Sequence, residues 1–347
     1  MPGYETVPLE YDEITVAAVQ MNPRPVTLKN LAEGRKRNLE HMLYLCDVAQ
    51  QWPRGRKQLL VFPEFTLTGF SEGWTREEWL KVAIMVPGPE TDALAKKARE
   101  WNCYIAFGSH TQDREWPGHF FNSAVLIGPK EGVIHVHWKA YGGFPGIGME
   151  YSTCAHDVLD KYIAKYGWGA VWQVAKTPIG NLGVYICSEG FAPETARAFA
   201  FNGAEILCRC IGGAGEELRH GRYRTMFRSD CAASMLYGIY SNGGSGETLE
   251  GVEFGHPDVN YGGGGSMIVG THGQILQEAT DSREEIVSWQ IPIALHRKIH
   301  TIPNIRTEIY APVLTQHPGQ FPPNMFADRL PKDFDEARDW STKQKRW

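Results

Sequence analysis

Residues 183–207 read GVYICSEGFAPETARAFAFNGAEIL. An apolar run enters a cysteine, a short turn follows, and Pro193-Glu194 opens a helix that Gly203 closes. Proline in a first turn and glycine just past a last one punctuate a helix in that order. GAEILCR (203–209) then begins another apolar run. The stretch is therefore a strand–turn–helix–strand unit, the repeating element of an α/β sheet. Cys187 falls at the carboxyl end of its first strand. Such a thiol is either a small core filler, since free cysteine is among the most buried residue types, or a nucleophile held out on the turn. In the second reading the nearby helix amides favour thiolate and also offer N–H groups to an oxyanion.

The same alternation extends outward. ITVAAVQ (14–20) reads as a buried strand, and Leu28, Leu31, Leu39, Met42, Leu43 and Cys46 recur at helical spacing over 27–50. A strand at 58–62, a helix in PETDALAKKAREWN (89–102) and a strand in CYIAFGSH (103–110) follow. FFNSAVLIGPKEGVIHVHWKA (120–140) and GSMIVGTHGQILQEA (265–279) read as hairpins, the second with His272-Gly273 at its tip. A helix is expected over 217–235 and a strand in YGIYSN (237–242). Helices alternate with strands while hairpins interrupt, which predicts mixed rather than purely parallel sheets.

Bulk composition narrows the function classes. The 347 residues are 42% apolar and 22% charged, with a formal net charge of −5. That balance carries no basic footprint for nucleic acid, and the arginine-rich 216–230 reads as a solvated helix face. The N-terminus MPGYETVPLEYDE has no apolar signal core, and no run reaches the ~20 apolar residues of a membrane span. Seven scattered cysteines, an odd number, suit a reducing compartment better than a disulfide framework, so a cytoplasmic location is expected.

Two further strand ends carry chemistry. LLVFPEF delivers Glu64 among proline and aromatic groups, where burial raises a carboxyl toward the range of a general base. HVHWKAYGG places Lys139 at the close of the first hairpin, where a held cation stabilises a developing oxyanion. Taken singly, a surface glutamate and a snorkelling edge lysine are the plainer readings. His135 and His137 share a strand face, as do Cys208 and Cys210, but neither pair brings a third ligand, and packing is the better account of both. The glycines at 262–265 lack the helix and lysine of a phosphate loop and read as a turn. Phe65 is a pocket wall or plain core. Arg209 either faces a substrate carboxylate or is an ion-paired structural arginine.

With Glu64, Lys139 and Cys187 each at the end of a buried strand, the sequence resembles the nitrilase superfamily of carbon–nitrogen hydrolases. FPEF, HWK and ICSEGFAPETARAFAFNGAEI carry the resemblance, with echoes in VAAVQMNP, SMIVGTHGQIL and RTEIY, so that it covers roughly residues 14–310. It implies a four-layer α-β-β-α sandwich with two mixed β-sheets over residues 1–310, and a C-terminal tail (311–347) that wraps a partner in a homodimer or larger homo-oligomer. It also implies a Glu-Lys-Cys triad that cleaves a linear amide through a cysteine thioester, with the Ser188 backbone N–H as an oxyanion donor and no cofactor or metal. Ser188-Glu189 stands where nitrilases usually carry Trp-Glu, which favours amides over nitriles. Family amidases and carbamoylases add a second carboxylate between the lysine and the cysteine. Glu150, Asp157 and Asp160 are the candidates, and Asp160, placed as in carbamoylases, keeps an N-carbamoyl substrate open. A catalytically silent binding protein is the non-enzyme alternative.

Overall fold

The structure is a computed structural model that describes residues 3–24, 26–69, 73–142, 151–212, 221–244 and 263–347. Two mixed sheets organise it. In the first, β1 (Ile14–Gln20), β2 (Leu59–Val61) and β4 (Tyr104–Gln112) are parallel neighbours. The antiparallel strands β13 (Glu285–Ile291), β5 (Phe121–Gly128) and β6 (Gly132–Trp138) extend this sheet to the order β13-β1-β2-β4-β5-β6, with the short β3 (Ile84–Met85) beside β4. The second sheet repeats the plan. Its parallel centre is β8 (Gly180–Ile186), β9 (Ile206–Ile211) and β10 (Tyr237–Asn242). Antiparallel β7 (Ala175–Thr177), β11 (Met267–Val269) and β12 (Ile275–Glu278) complete it.

The burial pattern shows why these segments are strands. Successive side chains point to opposite faces. Val16 and Ala18 enter the core between the sheets, while Ala17 and Val19 face the helices outside. Val61 and Ala106 face inward and Leu60, Phe62, Ile105 and Phe107 outward in the same way. A strand buried on both faces reads as a continuous apolar run rather than an alternation, as ITVAAVQ does. The outward face is covered by α1 (Leu31–Gln51) and α3 (Pro89–Trp101) through Met42, Leu45, Cys46, Leu94 and Ala98. The second sheet is covered by α5 (Pro193–Phe201) and α6 (Arg222–Ser234) through Phe199, Ala200, Phe227 and Cys231. The expected α-β-β-α layering and both expected hairpins are present.

The tail departs in part from its expected role. Residues 324–337 pack on their own chain: Phe326 N donates to Asp157 O, Arg76 N to Lys332 O and Arg76 Nε to Pro331 O. Phe326 and Ala337 are buried against Trp79, Tyr151 and Tyr162, and α9 (Phe334–Gln344) follows. By contrast α8 (Thr307–Gln316) has no buried residue, and Ile309, Tyr310, Val313 and Leu314 all lie exposed.

At one point of the packing between the sheets a glycine is required. A Cβ on Gly108 of β4 would lie 2.7 Å from Glu64 Cα, and near Ile186 and Cys210 of the facing sheet. Gly108→Ala should therefore displace backbone rather than a flexible side chain, at about 1–3 kcal/mol. The expected outcome is a lower midpoint in chemical denaturation with an unchanged slope.

Candidate active site

After β2, the chain turns at residues 63–66 and is fastened to β4: Gly108 N donates to Pro63 O, Thr66 N to Gly108 O and Thr66 Oγ1 to Pro63 O. This turn points Glu64 into the space between the sheets, where it is 2% exposed. Its Oε1 accepts from Asn122 Nδ2 at 2.6 Å and its Oε2 from Gly212 N at 2.9 Å. Lys139 Nζ, equally buried, lies 3.6 Å from Oε1. Lys139 is itself placed by the hairpin, its N–H donating to Asn122 O. One asparagine thus holds both the carboxylate and the backbone of the lysine.

Cys187 arrives from the other sheet. Strand β8 ends at Ile186, and a tight 3₁₀ turn, Cys187–Phe191, precedes α5. Cys187 itself adopts φ of +36°, in the left-handed region that side-chain-bearing residues rarely occupy. Such strain persists where surroundings over-determine it, and here they do. Arg209 Nε and Nη2 donate to Cys187 O at 2.9 and 2.6 Å. Two residues on, the wholly buried Glu189 carboxylate accepts from Ile186 N, Ala140 N and His137 Nε2. Tyr141 and Thr195 hydroxyls donate to Glu189 O. The turn bearing the thiol and the strand end bearing the lysine are thereby tied together.

Electrostatics at the sulfur bear on the two sequence readings. Burial pushes the Cys187 thiol up to about 12, and the Glu64 carboxylate, which hydrogen-bonds it, adds to the rise, while Lys139 and Arg209 pull the other way. Of the two sequence readings of this cysteine, the turn's dipole favours thiolate, whereas desolvation acts in the opposite direction and is the larger effect. Burial and the Glu64 carboxylate both favour the thiol over the thiolate, and the sulfur lies beside the Glu64 side chain. The Tyr223 hydroxyl lies 3.8 Å from Sγ.

The structure brings together Glu64, Lys139, Cys187 and the Ser188 backbone, with Ser188 buried beside the nucleophile. Phe65 also joins them: it adopts φ of +59° and stacks on His110 at 4.9 Å, which in turn packs on Trp79. Asp160 does not join them. It is exposed in the first turn of α4 (Leu159–Tyr166), where its N–H donates to Asn324 Oδ1. Asp157 caps its own turn by accepting from Cys154 N, and Glu150 lies outside the described residues. Arg209 is wholly buried, with Nε and Nη2 both donating to the Cys187 carbonyl. His137 is engaged by Glu189, and burial pushes His135 down to about 3. Cys208 and Cys210 are packed in the core. Sequence reasoning missed Asn122, Glu189 and Tyr223. A polar Asn within the apolar run FFNSAV was a usable signal, whereas Tyr223 carried none.

A model of the carbon-nitrogen hydrolase family matches residues 15–301. Formamidases from Bacillus cereus (strain B4264) and Bacillus thuringiensis (strain Al Hakam) are 32% and 31% identical over 160 residues, 45% of this chain and 41% of theirs. The chain thus matches about two-fifths of the length of these curated relatives. Among solved structures, the amidase from Nesterenkonia sp. AN1 in complex with acrylamide shares the fold with a TM-score of 0.61 at 17% identity, over 89% of this chain and 100% of that one. A carbon-nitrogen hydrolase from Helicobacter pylori does so with a TM-score of 0.61 at 20% identity, over 87% and 98%.

The Glu64 charge raises the thiol, so removing it lowers the pKa and leaves more thiolate at any given pH. Glu64→Gln should therefore speed iodoacetamide alkylation of Cys187 at pH 8–9, about tenfold for each pKa unit of fall. A slower reaction would mean that the carboxylate stabilises the thiolate instead.

Proposed function

The chain belongs to the carbon–nitrogen hydrolase family, and from that premise we propose that it hydrolyses the C–N bond of a small linear amide through a thioester on Cys187. The observation that carries this reading is the buried Glu64 side chain beside both the Lys139 amine and the Cys187 sulfur, each delivered by a different strand end.

Cys187 Sγ attacks the amide carbon while Glu64 accepts the thiol proton. The carbonyl π pair moves onto oxygen, where Lys139 and the Ser188 N–H stabilise it. Collapse expels the amine, which takes the proton back from Glu64, and leaves the thioester. Glu64 then takes a proton from water as the water attacks. The second tetrahedral species expels the thiolate, Glu64 returns the proton to sulfur, and the carboxylic acid departs. One buried carboxylate serves as base and acid in turn, which suits a group screened from solvent and held by Asn122 and Gly212.

A simple amide is favoured over an N-carbamoyl compound because the carboxylate that recommended the latter, Asp160, is exposed. The Phe65–His110–Trp79 stack beside Glu64 suits a short acyl group, in keeping with the resemblance to formamidases. Among the described residues no helix is long and apolar enough to cross a membrane. The seven cysteines stand as thiols outside any disulfide, which supports a reducing compartment such as the cytoplasm. We further propose a homo-oligomer whose second copy covers α8: a ten-residue helix with four exposed large apolar side chains is marginal unless packed.

Ammonia release measured on formamide, acetamide, a ureido acid and a nitrile decides the activity. Release from the simple amides, lost by at least about 10³-fold in Cys187→Ala, is the expected result; release only from the ureido acid or nitrile would reassign the substrate. For the assembly, light scattering on Val313→Asp/Leu314→Asp should show a smaller mass than the wild type, with turnover by the folded subunit as control.

A further inference from the structure

Arg209 has a placement that packing alone does not require. It rises from β9 beneath the Cys187 turn and is wholly buried, and among the described residues no carboxylate lies within ion-pairing distance of it. A buried cation without such a partner is costly. What receives it is one carbonyl, Cys187 O, through Nε at 2.9 Å and Nη2 at 2.6 Å, with Nη1 at 3.5 Å from Tyr223 O. The Tyr223 ring lies 4.9 Å from its Cζ, with Tyr185 and Tyr240 slightly farther. Gly190 makes room for it, since a Cβ there would lie 2.5 Å from Cζ.

The carbonyl gripped in this way belongs to the same peptide plane as the Ser188 N–H. A trans peptide is planar, so its C=O and N–H point in opposite directions, and fixing one end aims the other. Two charge-assisted bonds at the oxygen also polarise the unit, and linked hydrogen bonds strengthen one another by about 10–30% each. The left-handed conformation at Cys187 would otherwise leave this peptide free to relax.

We propose that Arg209 is a positioning residue that aims and polarises the Cys187–Ser188 peptide, so that the Ser188 N–H acts as an oxyanion donor. The proposal rests on the acyl-transfer reading above.

Arg209→Lys keeps the buried charge but cannot present two coplanar donors. The full-length variant is compared with wild type in three measurements. The first is kcat and KM for formamide. The second is iodoacetamide alkylation of Cys187 against pH, which displaces iodide from carbon and builds no oxyanion. The third is protection from that alkylation by propionaldehyde. In the protected adduct Sγ bonds the aldehyde carbon, the carbonyl π pair moves to oxygen, and that oxygen receives the thiol proton after occupying the oxyanion position.

The expected result is kcat lower by about ten- to a hundredfold, somewhat less than outright loss of an oxyanion donor costs, with KM within about threefold. Aldehyde protection should weaken in step with kcat/KM, while the alkylation profile stays that of wild type. Gly190→Ala, which displaces the guanidinium without removing its charge, should give the same split. Alkylation falling in step with turnover, or aldehyde protection unchanged from wild type, would overturn the proposal. If the wild type hydrolyses no amide, the functional reading fails alone, and the aldehyde comparison still decides the role of Arg209.

Discussion

The buried Glu189 carboxylate is the constraint on which the site depends. It accepts from Ile186 N at the end of β8, from Ala140 N just after β6, and from the ring of His137 within β6. These donors belong to different sheets, so a single side chain fixes the distance between the segment carrying Cys187 and the segment carrying Lys139. A carboxylate removed from water is tolerable only when its lone pairs are filled. That requirement works as a gauge, because the carboxylate is satisfied only when both strand ends are in register. Glu64, fastened through the turn at Gly108, completes the set from the parallel centre of the first sheet.

This arrangement follows from how each sheet is built. Parallel strands joined by helices all present their carboxyl ends at one edge, and the two sheets pack with those edges together. Glu64 follows β2 and Cys187 follows β8, each the exit of a parallel strand in its own sheet. Lys139 comes from an antiparallel hairpin, and therefore needs extra ties: Asn122 and Glu189 supply them. The antiparallel additions are what let a nearly symmetric pair of sheets hold three unlike residues in one place.

Much of this was legible in the sequence. Continuous apolar runs, proline at helix starts and glycine in hairpin turns give nearly every principal strand and helix, and strand-end position together with the family resemblance singles out Glu64, Lys139 and Cys187. What escaped were relations that no local pattern encodes. Glu189 reads as a turn residue until the fold brings Ala140 to it, and Arg209 reads as a carboxylate's partner, in substrate or protein, until the Cys187 carbonyl lies against it. Asp160 shows the converse, since its spacing in the chain carried no information about the exposed position it occupies in a short helix. The balance at the thiol was open for a similar reason: dipole arguments count nearby amides, while the water removed by packing is set by the fold.

That preference for the thiol has a chemical consequence outside turnover. Peroxides and disulfides attack thiolate sulfur far more readily than thiol, and sulfinic or sulfonic products are not recovered by ordinary reductants. A low-pKa nucleophile would be reactive at all times, whether or not substrate were present. Here burial and the neighbouring Glu64 raise the sulfur's pKa and favour the thiol, and in the proposed mechanism it yields its proton to Glu64 as a carbonyl carbon comes within reach. On that reading the nucleophile is created by its substrate, and away from substrate an oxidant meets the less reactive sulfhydryl.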